Sequence, residues 1–499
     1  MAMMYNSTRD SRVSVSSAQA ISRGISEEGG LFVPASFPAL TPGEVAALTE
    51  KTYIERAACV LSKFLTDFTP EEVEACAAAA YGGGKFRDPA VAPLRELPGG
   101  PHVLELWHGP TCAFKDMALQ ILPHLMRESV RKTGGGDIVI LVATSGDTGK
   151  AALEGFRDAP HTKILVFYPV DGVSPMQKLQ MVTQEGNNVG VCAIRGNFDD
   201  AQAGVKALFT DRDLGERLAA NGLQFSSANS INWGRLVPQI VYYVSAYCDL
   251  LKAGRLKPGD NMNVVVPTGN FGNILAAYYA GKMGLPVGRL VCASNRNRVL
   301  ADFIETGVYD RNREFYTTTS PSMDILISSN LERLLYDLSG GDDGEIRRLM
   351  EELRVKGRYA VPDAMLEKLR AQFAAGWCDD RQTADTIAGV YKKYGYLCDT
   401  HTAVALHVYE EYRRRTGDET PAVVASTANP YKFSASVLEA LGESRADEDE
   451  FDKVESLHAL TGCPVPPPLA GLRGKAPRFT GVVDRREMEG AVLEMLGLG

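Results

Sequence analysis

The run His108-Gly-Pro-Thr-Cys-Ala-Phe-Lys-Asp116 carries the strongest chemical signal in this sequence. A strand-like apolar segment, residues 103–107, precedes it, and a helix-like run over residues 114–122 follows its Gly-Pro turn. This order places Lys115 just inside the start of a helix, beside an aromatic side chain. Poor solvation and the positive end of the helix both disfavour an ammonium group, so the pattern indicates a neutral amine that can attack a carbonyl. The alternative is an ordinary lysine that reaches solvent or pairs with Asp116.

Composition restricts the class of protein. The chain has 499 residues, enough for two or more domains, with 45% hydrophobic and 23% charged residues. A net charge of -9 without a basic run argues against nucleic acid or an anionic membrane as a partner. The 9 cysteines are scattered and form no Cys-x-x-Cys pair, which predicts a reducing compartment and neither a disulfide scaffold nor a zinc site. No apolar run approaches membrane-spanning length and the first ten residues are polar, so we expect a cytoplasmic protein.

Short apolar runs alternate with helical patterns from residue 137 onward. The strand-like runs are residues 137–143, 162–168, 189–194, 261–267, 289–294 and 422–426. Strands and helices in series predict an α/β protein whose parallel sheet is covered by helices on both faces. Two regions differ: residues 1–97 have a mixed, partly helical pattern, and residues 331–375 contain three charged amphipathic patterns that indicate a helical insertion.

Three loops lie where a strand ends and a helix begins, which is where open parallel sheets bind ligands. The first, Gly269-Asn-Phe-Gly-Asn273, has two glycines that let main-chain N–H groups approach an anion at a helix start. It suits a phosphate monoester better than a dinucleotide, because the G-x-G-x-x-G spacing is missing. A tight turn without a ligand explains the same residues about as well.

The other two loops carry hydroxyl groups. Thr144-Ser-Gly-Asp-Thr-Gly149 can hold a carboxylate or phosphate at a helix start. Lys150 follows it as in a nucleotide phosphate loop, but position 144 is Thr where that loop requires Gly, which argues against ATP. Ser426-Thr-Ala-Asn-Pro430 places a hydroxyl at a strand end, where it can meet a ring nitrogen. Helix capping is the alternative for both loops.

Together with Lys115, the three loops supply a coherent set of groups: an amine for a Schiff base, a phosphate cradle, a carboxylate-binding loop and a hydroxyl for a ring nitrogen. Pyridoxal phosphate needs the amine, the cradle and the hydroxyl, and an amino-acid substrate needs the carboxylate-binding loop.

At these stretches the chain resembles the threonine synthase family, in the tryptophan-synthase-β-like group of pyridoxal-phosphate enzymes and in its longer bacterial and fungal branch. The matching stretches are residues 108–116, 143–149, 267–273 and 426–433, together with 5–34 and Asn229-Ser-Ile-Asn-Trp-Gly-Arg235. The resemblance implies two open, mainly parallel sheet domains flanked by helices. It places an N-terminal mixed lead-in over 1–97, a smaller domain with Lys115 and the 144–149 loop over 98–255, and a larger cofactor domain with the helical insertion over 256–499.

The resemblance also implies a role for each site residue, with Lys115 as the catalytic residue that carries the cofactor. The other expected contacts are Gly269, Asn270, Phe271 and Asn273 to the cofactor phosphate, Thr427 to the pyridine nitrogen, Thr144, Ser145, Asp147 and Thr148 to the substrate carboxylate, and Ser230, Asn232 and Arg235 to the substrate phosphate. Asn232 and Arg235 can equally cap and solvate the helix that they begin. The family often has His at the position of Asn429 and Pro at that of Thr400.

The implied reaction converts O-phospho-L-homoserine and water to L-threonine and phosphate, by γ-elimination and β-hydration, in a monomer or small homo-oligomer without a metal. Two alternatives stay open. One is a related pyridoxal-phosphate lyase, such as a threonine or serine dehydratase or an O-phosphohomoserine phospho-lyase. The other is a non-catalytic regulator that binds the cofactor, against which the intact Lys115 argues.

Overall fold

Two separate parallel sheets organise the fold, in a computed structural model that describes residues 2–144, 146–170 and 173–498. The larger sheet has six strands in the order 373–377, 287–294, 262–267, 422–426, 102–105 and 94–96. Its described pairs are parallel except the last, between 94–96 and 102–105. The smaller sheet has five parallel strands in the order 482–484, 189–195, 162–169, 137–143 and 223–226.

The strands of the described chain, in sequence order, are Tyr5–Ser7, Ser14–Val15, Phe32–Pro34, Leu94–Glu96, His102–Glu105, Asp137–Ala143, Thr162–Pro169, Val189–Arg195, Leu223–Ser226, Met262–Pro267, Val287–Ser294, Val308–Asp310, Arg358–Ala360, Phe373–Trp377, Ala422–Ser426 and Val482–Asp484.

The α-helices are Ser17–Arg23, Pro42–Leu48, Tyr53–Phe64, Pro70–Tyr81, Asp116–Leu119, Leu122–Thr133, Asp147–Phe156, Pro175–Val182, Phe198–Thr210, Arg212–Ala220, Trp233–Lys252, Gly272–Lys282, Val299–Thr306, Leu331–Leu338, Asp343–Lys356, Asp363–Gln372, Asp380–Tyr394, Thr400–Thr416, Ser434–Ala440, Glu450–Thr461, Pro467–Ala470 and Met488–Leu496. Short 3-10 turns lie at Pro321–Met323, Pro430–Phe433 and Arg485–Glu487.

The central strands are apolar because both of their faces are covered. All six residues of strand Met262–Pro267 are buried, as are all five of Ala422–Ser426. Continuous apolar runs of this kind are typical of parallel strands between two layers of helices. The helix Trp233–Lys252 is buried almost all round and is therefore apolar on every face. The predicted α/β class with two mainly parallel sheets is confirmed.

The N-terminal lead-in has a small antiparallel sheet of three strands and helices with strong start signals. Thr41, Thr52 and Thr69 each cap a helix and form a capping box with the Glu three residues later. Within the described residues, none of the helices has both the length and the apolar character that crossing a membrane requires.

Sheet membership departs from the predicted divisions at two places. Strand His102–Glu105 pairs with Ala422–Ser426 in the larger sheet, although the prediction gives residues 98–255 to the smaller domain. Strand Val482–Asp484 extends the smaller sheet beside Val189–Arg195, although it lies in the range 256–499. The division into three parts stays a prediction, and the two sheets exchange segments across its limits.

The predicted helical insertion of residues 331–375 also ends differently. Its three helices are present, but the last one ends at Gln372, and the final residues of the predicted insertion belong to the edge strand Phe373–Trp377 beside residues 290–294. The strand has the sequence Phe-Ala-Ala-Gly-Trp, which has no alternation of polar and apolar residues. Pairing with the neighbouring strand, rather than local pattern, makes this segment extended.

Candidate functional site

The loops at the carboxyl ends of both sheets meet around Lys115. The N–H of Phe114 donates to the carbonyl of Thr427 at 2.8 Å, and Ala113 and Ala428 form an isolated β-bridge. From the smaller sheet, Asp147 reaches within 3.7 Å of the Lys115 amine. The structure therefore brings together the three loops that the sequence singles out, as expected for strand ends of open parallel sheets.

Lys115 occupies the N-cap position of the short helix Asp116–Leu119. Its Nζ lies 3.5 Å from Ser322 Oγ and 5.1 Å from the centre of the Phe114 ring. Burial lowers the pKa of Lys115, Asp147 opposes that shift, and the charges of Lys432 and Arg235 reinforce it. The shift is in the direction that the sequence predicts, toward the neutral amine.

The alternative partner, Asp116, has its carboxylate bound to Thr111. Its two carboxylate oxygens accept hydrogen bonds from the N–H and the hydroxyl of Thr111, at 2.8 and 2.7 Å. Asp116 is fully buried, and burial raises the pKa of its carboxyl to about 6 against the effect of these two bonds. Its role in the structure is to fix the turn before Lys115.

Asp147 is the charged centre of the site. It begins the helix Asp147–Phe156, and its Oδ1 lies 2.5 Å from Lys432 Nζ and accepts from Gln177 Nε2 at 2.8 Å. Burial works to raise the pKa of Asp147, but the charge of Lys432 and the hydrogen bonds from Lys432 and Gln177 contribute to holding that pKa well below its usual value. A carboxylate with these partners is suited to cations, whereas direct contact with a substrate carboxylate would be repulsive.

Lys432 was missed by the sequence reasoning. The signal available was a lysine between two aromatic residues, Tyr431 and Phe433, just after the third loop. Its side chain is fully buried, and its Nζ also donates to the carbonyl of Thr111 at 3.1 Å. Lysine is almost never fully buried unless it is paired, so the position in an aromatic run was informative.

The loop from Gly269 to Asn273 has the properties of an anion cradle. Phe271 has a positive φ of 65°, and the helix Gly272–Lys282 begins directly after it. Among the described residues, the main-chain N–H groups of this loop donate to no protein acceptor. Within the part of the chain that the structure describes, the buried Asn273 Nδ2 has no partner, while its Oδ1 accepts from the hydroxyl of Tyr243. Unpaired donors at a helix start bind anions such as phosphate.

Ser322 joins the cradle to the lysine. A side chain at Gly269 would place its Cβ 2.5 Å from the carbonyl oxygen of Ser322, so the close approach requires glycine. The hydroxyl of the same serine lies 3.5 Å from Lys115 Nζ. The lysine amine and the anion cradle therefore lie on two sides of one residue. No motif marks Ser322 in the sequence, which is why it was not predicted.

A histidine fixes the Ser322 turn. The Ser322 N–H donates to His401 Nε2 at 3.1 Å, and His401 Nδ1 lies 2.8 Å from Asp399 Oδ2. Because Nε2 accepts, the ring proton sits on Nδ1 and donates to Asp399. His401 follows Thr400, where the family often has Pro, and both lie in the first turn of the helix Thr400–Thr416.

The third loop is anchored by its neighbours. Thr427 is buried and its carbonyl holds the Phe114 N–H, which sets the loop against the lysine turn. Ser426 Oγ accepts from Trp107 Nε1 at 2.9 Å. Asn429, where the family often has His, caps the turn Pro430–Phe433 and so helps to position Lys432.

The 144–149 loop is mainly a cap in this structure. The Thr144 hydroxyl accepts from the N–H groups of Gly146 and Gly149, at 3.0 and 2.9 Å, so it is already used within the loop. Thr148 is half-buried, and Ser145 lies outside the described residues. The expected substrate contacts of these residues stay predictions.

Two of the residues predicted to bind the substrate phosphate, Asn232 and Arg235, lie at the start of the helix Trp233–Lys252 and differ in their hydrogen bonding. Asn232 is fully buried and satisfied: it caps the helix through Gly234 N–H at 2.8 Å, and its Nδ2 donates to two carbonyls. Arg235 is different. Its Nη1 donates to the carbonyl of Ala228, and its Nε is buried without a partner in the described part of the chain.

Arg235 is thus a buried guanidinium with spare donors. Burial lowers the pKa of Arg235 to about 10, and the positive charge of Arg235 helps to lower the pKa of Lys115. An arginine fork in such a place can bind a phosphate or carboxylate through two hydrogen bonds. Ser230 is half-buried in the turn that precedes the helix.

Three family models match the chain in succession. "Threonine synthase N terminus" matches residues 4–81, "Pyridoxal-phosphate dependent enzyme" residues 92–365, and "Threonine synthase, C-terminal" residues 402–490. The threonine synthase of Pseudomonas aeruginosa is 40% identical over 446 residues, which cover 89% of this chain and 92% of that protein.

Two further similarities bear on the whole chain. The human protein "Threonine synthase-like 1" is 40% identical over 90% of this chain, and the chain spans 61% of the length of that protein. The crystal structure of the pyridoxal-phosphate-bound threonine synthase from Brucella melitensis superposes with a TM-score of 0.87 at 37% identity and covers 99% of both chains.

Proposed function

Because the chain belongs to the threonine synthase family of pyridoxal-phosphate-dependent enzymes, we propose that it converts O-phospho-L-homoserine and water to L-threonine and phosphate. The observation that carries this proposal is the buried Lys115 amine, whose pKa burial lowers and which lies 3.5 Å from the hydroxyl of Ser322, the residue packed against Gly269 of the anion cradle. A second anion-binding group, Arg235, supports a substrate with a phosphate of its own.

The residues fit pyridoxal phosphate. The unpartnered Asn273 Nδ2 and the free N–H groups of residues 269–273 would hold its phosphate, and Lys115 would bond its aldehyde. The Thr427 hydroxyl would meet the ring nitrogen, which a hydroxyl leaves largely neutral. When bound, the cofactor supplies an aldehyde for amines and an electron sink for the carbanion formed at the substrate Cα.

The protein groups then divide the remaining work. The neutral amine of Lys115 removes the Cα proton and carries protons at Cβ and Cγ. Arg235 binds the phosphate and stabilises its charge as it leaves from Cγ. Asp147 stabilises the ammonium form of Lys115 that arises when the lysine takes up a proton, because Asp147 Oδ2 lies 3.7 Å from Lys115 Nζ. Water adds only at Cβ, so the walls of the site must exclude it earlier.

The sequence leaves a second candidate open, a phospho-lyase that converts O-phosphohomoserine and water to phosphate, 2-oxobutyrate and ammonia. The threonine synthase-like 1 proteins are as similar to this chain as the bacterial threonine synthase, at 40% identity, so identity alone does not choose between a threonine synthase and a related enzyme.

One incubation separates these candidates. The purified holoenzyme is given O-phospho-L-homoserine, and phosphate, threonine and 2-oxobutyrate are measured together. We expect phosphate and threonine in equal amounts. Phosphate with 2-oxobutyrate and no threonine would select the second candidate, and an enzyme that releases neither would overturn both.

A further inference from the structure

We propose that Lys432 is a positioning residue that neutralises Asp147 and thereby keeps the Lys115 amine uncharged, an inference that rests on the proposed function. Lys432 contacts Asp147, the carboxylate that lies beside Lys115, and its own charge also disfavours the ammonium form of Lys115.

The geometry around Asp147 is unequal. One oxygen lies 2.5 Å from Lys432 Nζ, whereas the other lies 3.7 Å from Lys115 Nζ. The first distance is that of a charge-assisted hydrogen bond and the second is not. The carboxylate therefore has its full ionic partner in Lys432, and Lys115 stands beside a pair whose net charge is zero.

A second contact fixes the Lys432 amine beside Asp147. Its Nζ also donates to the carbonyl of Thr111, and Thr111 is fixed by Asp116 through both its N–H and its hydroxyl. These groups belong to loops of the larger sheet, whereas Asp147 begins a helix of the smaller one. The ion pair therefore joins the two sheets at the point where the lysine amine lies.

The electrostatic consequence follows from removing one group. Without Lys432, Lys115 would be the nearest cation to a buried carboxylate, and an opposite charge at that range favours the ammonium form. The other charged groups that act on Lys115 are Arg235, which disfavours the ammonium form, and Asp147 itself. Of the two lysines that lie beside Asp147 in the described chain, Lys432 is the one that can balance its charge while Lys115 stays free for the reaction.

The test follows the charge on the Lys115 nitrogen in the absence of substrate. The visible absorbance of the holoenzyme is titrated with pH for the wild type, Lys432→Met and Lys432→Arg. We expect the midpoint of Lys432→Met to rise by about 1 to 3 pH units, the shift that an unbalanced charge within about 4–6 Å produces. Lys432→Arg keeps the charge and should titrate like the wild type.

Two further variants keep the test decisive. Asp147→Asn combined with Lys432→Met removes both charges with little change in shape, so its midpoint should return close to that of the wild type. Lys150→Met is the control. It removes a buried lysine that lies on the helix of Asp147 but pairs with Glu154, so it should not move the midpoint.

An unchanged midpoint in Lys432→Met would overturn the inference. Should that single variant fail to fold, a double variant that keeps a raised midpoint would also overturn it, since no carboxylate would be left to cause the shift. Neither result touches the proposed function, which depends on the products formed from O-phospho-L-homoserine.

Discussion

The ion pairs of the Lys115 site and those of the helix Asp343–Lys356 differ in burial and in the sequence separation of their partners. On the helix, Glu345 with Arg348 and Glu352 with Lys356 lie three or four residues apart and face solvent. At the site, Lys115 and Lys432 come from distant parts of the chain and converge on one buried carboxylate. Exposed local pairs contribute little, whereas a buried pair stabilises the fold only while both partners remain.

The difference shows where function is concentrated. Replacing a buried ion pair with apolar residues often leaves a protein equally stable or more so, so folding alone does not explain the Asp147 cluster. The helix needs no such explanation, because its pairs follow from amphipathic periodicity. Charge held inside the protein by segments far apart in sequence is therefore the stronger sign of a reactive site.

The largest effect should come from the lysine itself. Lys115→Ala removes both the group that bonds the cofactor and the base, so kcat/KM for threonine formation should fall by about 10³-fold or more. The visible absorbance of the bound cofactor should change with it. Lys356→Ala, from the exposed helix, serves as the control and should leave both unchanged. A Lys115→Ala enzyme that keeps its activity would show that the buried site is no more important to the reaction than the exposed helix.

The next largest effect concerns stability. Asp147→Ala leaves the buried Lys432 without its carboxylate, and removal of one partner of a buried pair costs about 3–5 kcal/mol. The thermal unfolding midpoint of the holoenzyme should therefore drop clearly. A midpoint equal to that of the wild type would show that Asp147 is no more important to the fold than a surface carboxylate.

A smaller effect is expected for substrate binding. Arg235→Met removes a charge-assisted hydrogen-bond donor worth about 1.5–3 kcal/mol, which corresponds to about a 10- to 100-fold rise in KM for O-phospho-L-homoserine. Inhibition by inorganic phosphate should weaken by a similar factor. The variant loses the hydrogen bond to the Ala228 carbonyl but breaks no ion pair found among the described residues, so the unfolding midpoint should fall less than in Asp147→Ala. A lower midpoint with unchanged KM would give Arg235 a purely structural role.

The smallest effect belongs to the exposed helix. Glu351→Gln breaks the pair with Arg354, in which both side chains are largely exposed. Solvent and salt screen this interaction, so neither the unfolding midpoint nor turnover should change measurably at physiological ionic strength. A clear loss of stability would contradict the contrast between the two regions.

Much of the fold could be predicted because its signals are local. Apolar runs such as residues 137–143 and 262–267 are buried strands, and the glycine loop at 269–273 lies between strand and helix as expected. The strand Phe373–Trp377 was not predictable, since nothing in its five residues favours extension over the preceding helix. Its pairing with Val287–Ser294 decides its conformation.

The site was predictable to the same extent. Lys115 stands at a helix start beside Phe114, as its neighbours in sequence indicate. Its surroundings were not, because no motif marks the residues that build them. Ser322 contacts Lys115, His401 holds Ser322, and Lys432 pairs with Asp147.

The sequence by itself determined the α/β class, the family and the loops that carry the chemistry, since periodicity, turn residues and motifs depend only on neighbours along the chain. Only the tertiary structure decided that the lysine faces Asp147 instead of Asp116, and that a second lysine balances that carboxylate. The physical reason is that burial and charge balance are properties of a place in space, and distant segments create that place together.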